Sequence, residues 1–316
     1  MKHSVAIVGT GALGTALAAA LRGSGHVVSA WSRSGAAEGD GPEAFARRNT
    51  LAELAPSGAS CDVLVLCVTD TAIEAVARRC AQEFASVPAV ALHTSGCTPV
   101  GALDALAERG ASTGLFHPLC AVGGPAVSGA HGRFAGAAFG VLGDGEALRV
   151  ATELARELGG RPLVVEADQQ ARYHAAATLA AGGTVALAEV ARALLCGALV
   201  TASNDDGEDA SRASDDALFA VRGLVASAAH NLARTTPAAA LTGPHVRGDL
   251  GTLEAHRRAL AADDPAATEA RRVAAALAPA LLRLVAERLA AGAAGGAVDA
   301  ANVDLRALAR ALGLRP

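Results

Sequence analysis

Apolar and polar positions divide the chain into two regimes. Up to about residue 166, short apolar runs alternate with segments of helical period. The runs at 4–8, 27–31, 61–68, 89–93, 112–116, 138–142 and 162–166 read as strands, and 61–68 is apolar enough for a strand buried on both faces. Between them, Leu13, Ala16, Leu17, Ala20 and Leu21 keep helical spacing, as do Ile73, Val76 and Ala77; further helices are expected around 103–108 and 148–158. Strands alternating with helices predict a doubly wound parallel sheet. After about Asp168 the strand pattern stops, and 169–200, 217–235, 250–262, 265–290 and 303–312 all read as helices. The predicted fold class is therefore α/β, with a doubly wound domain at 1–168 followed by an all-helical domain at 169–316. Asp264 and Pro265 look like an N-cap followed by proline at the first helical position, and Pro279 is expected to bend that helix. The polar, acidic segment 201–216 reads as a solvated interhelical loop whose acids do not match the ligand spacing of an EF-hand.

The first strand runs into Gly9-Thr10-Gly11-Ala12-Leu13-Gly14 and then directly into a helix. In that context Gly9 permits the tight turn, Gly11 lets backbone approach a diphosphate, and Gly14 lets helix and sheet pack closely. The diphosphate is expected at the positive end of the helix. At the end of the second strand an NAD site carries a carboxylate for the ribose 2′-hydroxyl. Here Ser32-Arg33-Ser34 stands instead, and the nearest acids are Glu38 and Asp40. A guanidinium with two hydroxyls suits a 2′-phosphate, which a carboxylate would repel. NADP(H) is the expected cofactor, and the missing acid also argues against a methyltransferase using S-adenosylmethionine.

Composition narrows the classes further. The 316 residues, 52% of them hydrophobic, are ample for two domains, while the net charge of −4 and a single lysine, Lys2, leave no basic surface for nucleic acid. No targeting segment precedes the first strand, and the most apolar run, about 175–188, is too short to span a bilayer, so a cytoplasmic protein without a membrane partner is expected. The six cysteines show no C-x-x-C pair and read as reduced residues rather than a disulfide frame or metal site. No metal is expected.

Candidate chemistry falls at strand ends and helix junctions. Val68-Thr69-Asp70 and the turn His93-Thr94-Ser95-Gly96 lie where a doubly wound sheet exposes its ligand cleft; Val68, Thr69, Asp70, Ser95 and Gly96 are the remaining cofactor candidates. Phe116-His117-Pro118-Leu119 and Tyr173-His174-Ala175-Ala176-Ala177 supply the catalytic candidates. His174 is the first choice as proton donor, with the alternative that it binds a carbonyl oxygen structurally. Tyr173, the single tyrosine, is its neighbour, about 100° away around the helix, so the two need not face the same way. His117 is the second choice, against a purely backbone-bonded role. In the loop 241–249, Thr242, Arg247 and Asp249 are the substrate candidates: Arg247 either grips a carboxylate bidentately or pairs with Asp249 to hold the turn.

Taken together, the glycine fingerprint, VTDTAI, HTSG, HPL, YHAAA and LTGPHVRGD resemble a family of Rossmann-like oxidoreductases that carry a C-terminal helical domain of unassigned function. That family is related to the β-hydroxyacid dehydrogenase, ketopantoate reductase and pyrroline-5-carboxylate reductase group. The resemblance spans nearly the whole chain. It implies an NADP-type site in the first domain and a helical domain that often makes a homodimer, while the family's substrate is mostly unassigned. The expected activity is NADPH-dependent reduction of a small carbonyl or imine bearing a carboxylate. The chain departs from those relatives in two ways. The wider group uses a lysine as proton donor, which a chain whose single lysine is Lys2 lacks; and Ala181-Gly182 stands where many nearer members carry Ser-Asn. Those departures keep open a second reading, a non-catalytic NADP-binding sensor.

Overall fold

A computed structural model describes residues 2–33, 46–47, 50–55, 61–123, 132–199, 207–294 and 303–314. Ser34, Glu38 and Asp40 lie outside the described residues, as does the 201–206 stretch of the predicted loop. The chain divides into two compact units, Met1–Ala181 and Gly182–Pro316, and the division falls inside a helix that crosses it.

The first unit is built on eight strands: β1 (Ser4–Val8), β2 (Val27–Trp31), β3 (Ala46–Arg47), β4 (Val63–Leu66), β5 (Val90–His93), β6 (Ser112–Leu119), β7 (Ala138–Gly143) and β8 (Arg161–Val164). They are ordered β3-β2-β1-β4-β5-β6-β7-β8 in one sheet. Helices α1 (Ala12–Gly23), α2 (Ile73–Glu83), α3 (Asp104–Ala107) and α4 (Gly145–Glu157) connect them. Successive strand residues bury opposite faces: Val5 and Ile7 pack with α1 and α4, whereas Ala6 and Val8 pack with α2 and α3. The order reverses between β1 and β4, which makes the crevice beyond their carboxyl ends the expected ligand position.

One pairing departs from the expected parallel sheet. β7 runs antiparallel to β6, with His117 opposite Gly140 and Pro118 opposite Phe139. The strand predicted at 112–116 consequently continues through Pro118 to Leu119. β5 ends at His93, opposite Leu115, so beyond that point β6 has a neighbour on one side only and can tolerate a residue without an N–H. Phe116 and Phe139 stack at 4.9 Å between ring centroids and anchor this antiparallel pair in the core.

The remaining helices are α5 (Gln170–Leu199), α6 (Gly207–Leu232), α7 (Pro237–Ala240), α8 (Pro244–Arg247), α9 (Leu250–Ala259), α10 (Pro265–Ala294) and α11 (Leu305–Ala311). The second unit has a small core of Leu253, Val285 and Leu308. Asp264 caps α10 by accepting from the Ala267 N–H at 2.8 Å, and α10 continues through Pro279.

Three expectations need correction here. Residues 207–216 are not loop but the first turns of α6, because Ala213, Ala217 and Val221, four residues apart, form a buried stripe that the surrounding acids hid in the sequence. The 241–249 segment is not an open turn: Gly243 and Gly248, both at positive φ, bracket the one-turn helix α8, with Pro244 at its first position. The apolar run that looked too short to cross a membrane belongs to a helical stretch, Ala167–Leu199, that is long and apolar enough by length and composition alone. Arg172, Glu189 and Arg192 sit on that stretch.

Candidate functional site

The glycine turn has the local geometry that its sequence predicted. Gly9 adopts φ +102°, and a Cβ there would collide with the Cys67 carbonyl; at Gly14 it would collide with the Gly9 carbonyl. At Gly11 nothing lies within 4 Å of where a Cβ would stand, so this backbone is open to a ligand. Gly11 is also the N-cap of α1 and supplies no side chain to the first-turn N–H groups of Ala12, Leu13 and Gly14. Thr10 Oγ1 donates to Ser32 Oγ at 2.9 Å, which ties the glycine turn to the end of β2. Arg33 follows, exposed and without an ion-pair partner among the described residues. Val68, Thr69 and Asp70 lie just past the end of β4, and Val68 packs beside Gly9. These residues fit a dinucleotide carrying a 2′-phosphate: open backbone and uncapped N–H groups for the diphosphate, then a free guanidinium for the further phosphate.

A second cluster forms where the start of α5 lies over β6 and β7. His117 and Gly140 are register partners and share a sheet face. Gly140 has no side chain, and the Tyr173 hydroxyl occupies the space where one would stand. From there Tyr173 Oη makes a 2.8 Å hydrogen bond with His117 Nδ1. The His174 ring also meets His117, with centroids 5.7 Å apart and the planes at 72°. Tyr173 and His174 thus both contact His117 from the first turn of α5. Gly96 closes the cluster: a Cβ there would stand 2.6 Å from His174 Cδ2 and 2.8 Å from His117 Cε1.

Burial keeps His117 and Tyr173 neutral. Burial pushes His117 down to about 4, helped by the neighbouring His174 and opposed by Asp70. Burial likewise raises Tyr173 to about 12. His93, at the end of β5, is fully buried and also lowered to about 4, again chiefly by burial. In the HTSG turn, Ser95 Oγ accepts from the Cys97 and Thr98 N–H groups at 3.3 and 3.0 Å, so its hydroxyl shapes the turn.

His117, Tyr173, His174 and Gly96 are therefore brought together within the first unit. Thr242, Arg247 and Asp249 belong to the second. Asp249 is the N-cap of α9, accepting from the Thr252 N–H at 3.0 Å and from Thr252 Oγ1 at 2.7 Å; Arg247 is exposed and lowers the Asp249 pKa only as a minor influence. Gly140 was missed by sequence reasoning. Its signal was a lone glycine inside an apolar strand, which marks a close approach. Among the described residues no group of three His, Cys, Asp or Glu side chains is placed to hold a metal ion.

Comparison with known proteins agrees with this architecture. Residues 1–118 match the family described as a Rossmann-like domain, and residues 137–278 match a domain of unknown function, DUF2520. No curated protein matches the sequence. Among solved structures, a protein from Thermotoga maritima is 22% identical, with a TM-score of 0.55, covering 80% of this chain and 88% of its own. A candidate NADP oxidoreductase from Bacteroides fragilis is 21% identical, with a TM-score of 0.55 and coverage of 84% of this chain and 93% of its own. A pyrroline-5-carboxylate reductase from Coxiella burnetii is 14% identical, with a TM-score of 0.54 and full coverage of both chains. At these identities the likeness is one of fold. Residues 1–118 are thus similar to Rossmann-like domains and residues 137–278 to the DUF2520 domain, a two-part arrangement in keeping with the ordered motifs.

Proposed function

We propose that this protein is an NADP(H)-dependent oxidoreductase that reduces a small carbonyl or imine bearing a carboxylate, with Tyr173 as proton donor and His117 as its partner. The observation that carries the reading is the 2.8 Å bond between Tyr173 Oη and His117 Nδ1, beside the HTSG turn at the end of β5. The names of the Bacteroides and Coxiella neighbours support the cofactor and the reaction class. Gly9, Gly11 and the N–H groups of Ala12, Leu13 and Gly14 would hold the diphosphate, and Thr10, Ser32 and Arg33 at the end of β2 would take the 2′-phosphate. When bound, the cofactor supplies a hydride.

Tyr173 donates its proton to the oxygen or nitrogen of the reduced bond. Its high pKa keeps that proton in place at neutral pH until a strongly basic atom develops beside it. His117 stays unprotonated above about pH 4, so Nδ1 is free to orient the hydroxyl and to share its proton. His174 packs edge-on against the His117 ring and holds it in place. Within the second unit, Thr242 and Arg247 are the proposed carboxylate-binding residues, and Asp249 caps the helix that follows them. A homodimer follows from the uncovered apolar faces of α5 and α6, where Val185 is 71% and Phe219 81% exposed.

NADPH oxidation against a panel of oxo acids, aldehydes and cyclic imines tests the reading. Tyr173→Phe is expected to lower turnover by about 10²–10⁴-fold with cofactor affinity unchanged, the usual contribution of a general acid. Absence of turnover with every compound, alongside tight NADPH binding, would favour the sensor reading, which the missing lysine motivates.

A further inference from the structure

The second unit contains an open cavity of about 720 Å³ between α7, α8 and α10. Two of its lining residues are arginines, Arg247 from α8 and Arg288 from α10, and among the described residues no acidic side chain lines it. Arg288 is half-buried. Its Nη1 donates to the carbonyls of Ala239 and Leu241 at 2.9 and 2.8 Å and lies 3.4 Å from that of Ala238, at the C-terminal end of α7. One nitrogen thus fixes the guanidinium, while Nε and Nη2 have no partner among the described residues. Arg247 is exposed, and Asp249, the acid nearest to it in sequence, has its carboxylate engaged in capping α9. The walls are aliphatic, formed by Val246, Val285 and Leu289, with Thr236 the other polar side chain. A pre-fixed guanidinium fork beside aliphatic walls suits a carboxylate attached to a short hydrocarbon body; a bare inorganic anion would leave those walls in water.

We infer that this cavity is a carboxylate-binding site, with Arg247 and Arg288 as the paired anion donors and the aliphatic wall holding the body of the acid. Its ligand comes either from the substrate of the reductase reading, on which that identification rests, or from a separate acid of the same chemistry. Binding itself is independent of turnover.

Calorimetric titration of the full-length protein with hexanoate, hexanamide and inorganic phosphate tests the inference. Hexanoate is expected to bind, with hexanamide and phosphate each at least about tenfold weaker, because charge-assisted bonds and wall burial are needed together. Arg247→Gln, on an exposed side chain, is expected to weaken hexanoate by about tenfold with an unchanged melting temperature. Arg288→Lys keeps one donor for the α7 carbonyls but removes the fork, and is expected to weaken hexanoate similarly. Equal binding of acid and amide, equal binding of phosphate, or full retention of affinity in Arg247→Gln would each overturn the site. If hexanoate competes with the reduced compound and Arg247→Gln raises its KM, the acid is the substrate's own. If hexanoate binds without competing, the cavity takes a separate acid. Either outcome upholds the site, and neither requires the reductase reading to be correct for binding to be seen.

Discussion

Replacing Gly96 with alanine asks whether the His117–Tyr173 bond depends on a missing side chain. The added Cβ would stand 2.6 Å from His174 Cδ2, and 2.8 and 2.9 Å from His117 Cε1 and Nδ1. Reaching an ordinary contact of about 3.4 Å requires His174 to retreat by about 0.8 Å and His117 by about 0.5–0.6 Å. His117 Nδ1 is itself one of the displaced atoms, and its bond to Tyr173 is 2.8 Å long, so a shift of that size away from Tyr173 lengthens it to about 3.3–3.4 Å, beyond the usual range of about 2.7–3.2 Å. Overpacking of this kind costs about 1–3 kcal/mol of stability. Misplacing a catalytic group by a fraction of an ångström to one ångström costs up to about 10²-fold in rate. Gly96→Ala is therefore expected to lower kcat by about 10–100-fold, with a melting temperature reduced by several degrees. Gly101→Ala serves as the control, because its Cβ meets only the Asp104 carboxylate at 3.6 Å. Single-turnover rates with NADPH, NADPH affinity and thermal unfolding would be measured together on both variants. Undiminished kcat in Gly96→Ala, or a loss confined to NADPH affinity, would refute the steric account.

Arg33→Ala is expected to remove most of a tenfold to hundredfold preference for NADPH over NADH, since charge-assisted contacts contribute about 1.5–3 kcal/mol; equal affinities in the parent protein would sink the assignment. Acid should destabilise the fold through His93 and His117, which stay neutral in the folded chain down to about pH 4 while the unfolded chain protonates near 6.5. Stability is then fully present above pH 6.5 and is lost as pH falls toward 4, by about 2 kcal/mol for each histidine at pH 5. Calorimetry at pH 7 and 5 on the parent and on His117→Gln reads this, and an unchanged pH dependence in the variant would contradict it. Light scattering at micromolar concentration should return about twice the 31.2 kDa chain mass, whereas the chain mass itself would exclude the dimer.

Much of the first unit was legible because its signals are local. β1 and β2 fall where alternating glycine and apolar patterns placed them, and the glycine turn needs only Gly9, Gly11 and Gly14 in order, since each relieves a clash within its own β-α unit. The long helices of the second half were equally readable, but the start of α6, where acids at the surface masked the buried Ala213-Ala217-Val221 stripe, and the one-turn helices α7 and α8 were not. What the tertiary structure decided is which distant residues meet. His117 and Tyr173 are 56 positions apart, and their bond exists because β7 returns antiparallel and sets Gly140 opposite His117, leaving the hollow that Tyr173 fills. The register of a returning strand and the space left by an absent Cβ depend on packing among segments far apart in the chain. Periodicity and spacing describe each segment alone, so they named the two residues but left their partnership to the fold.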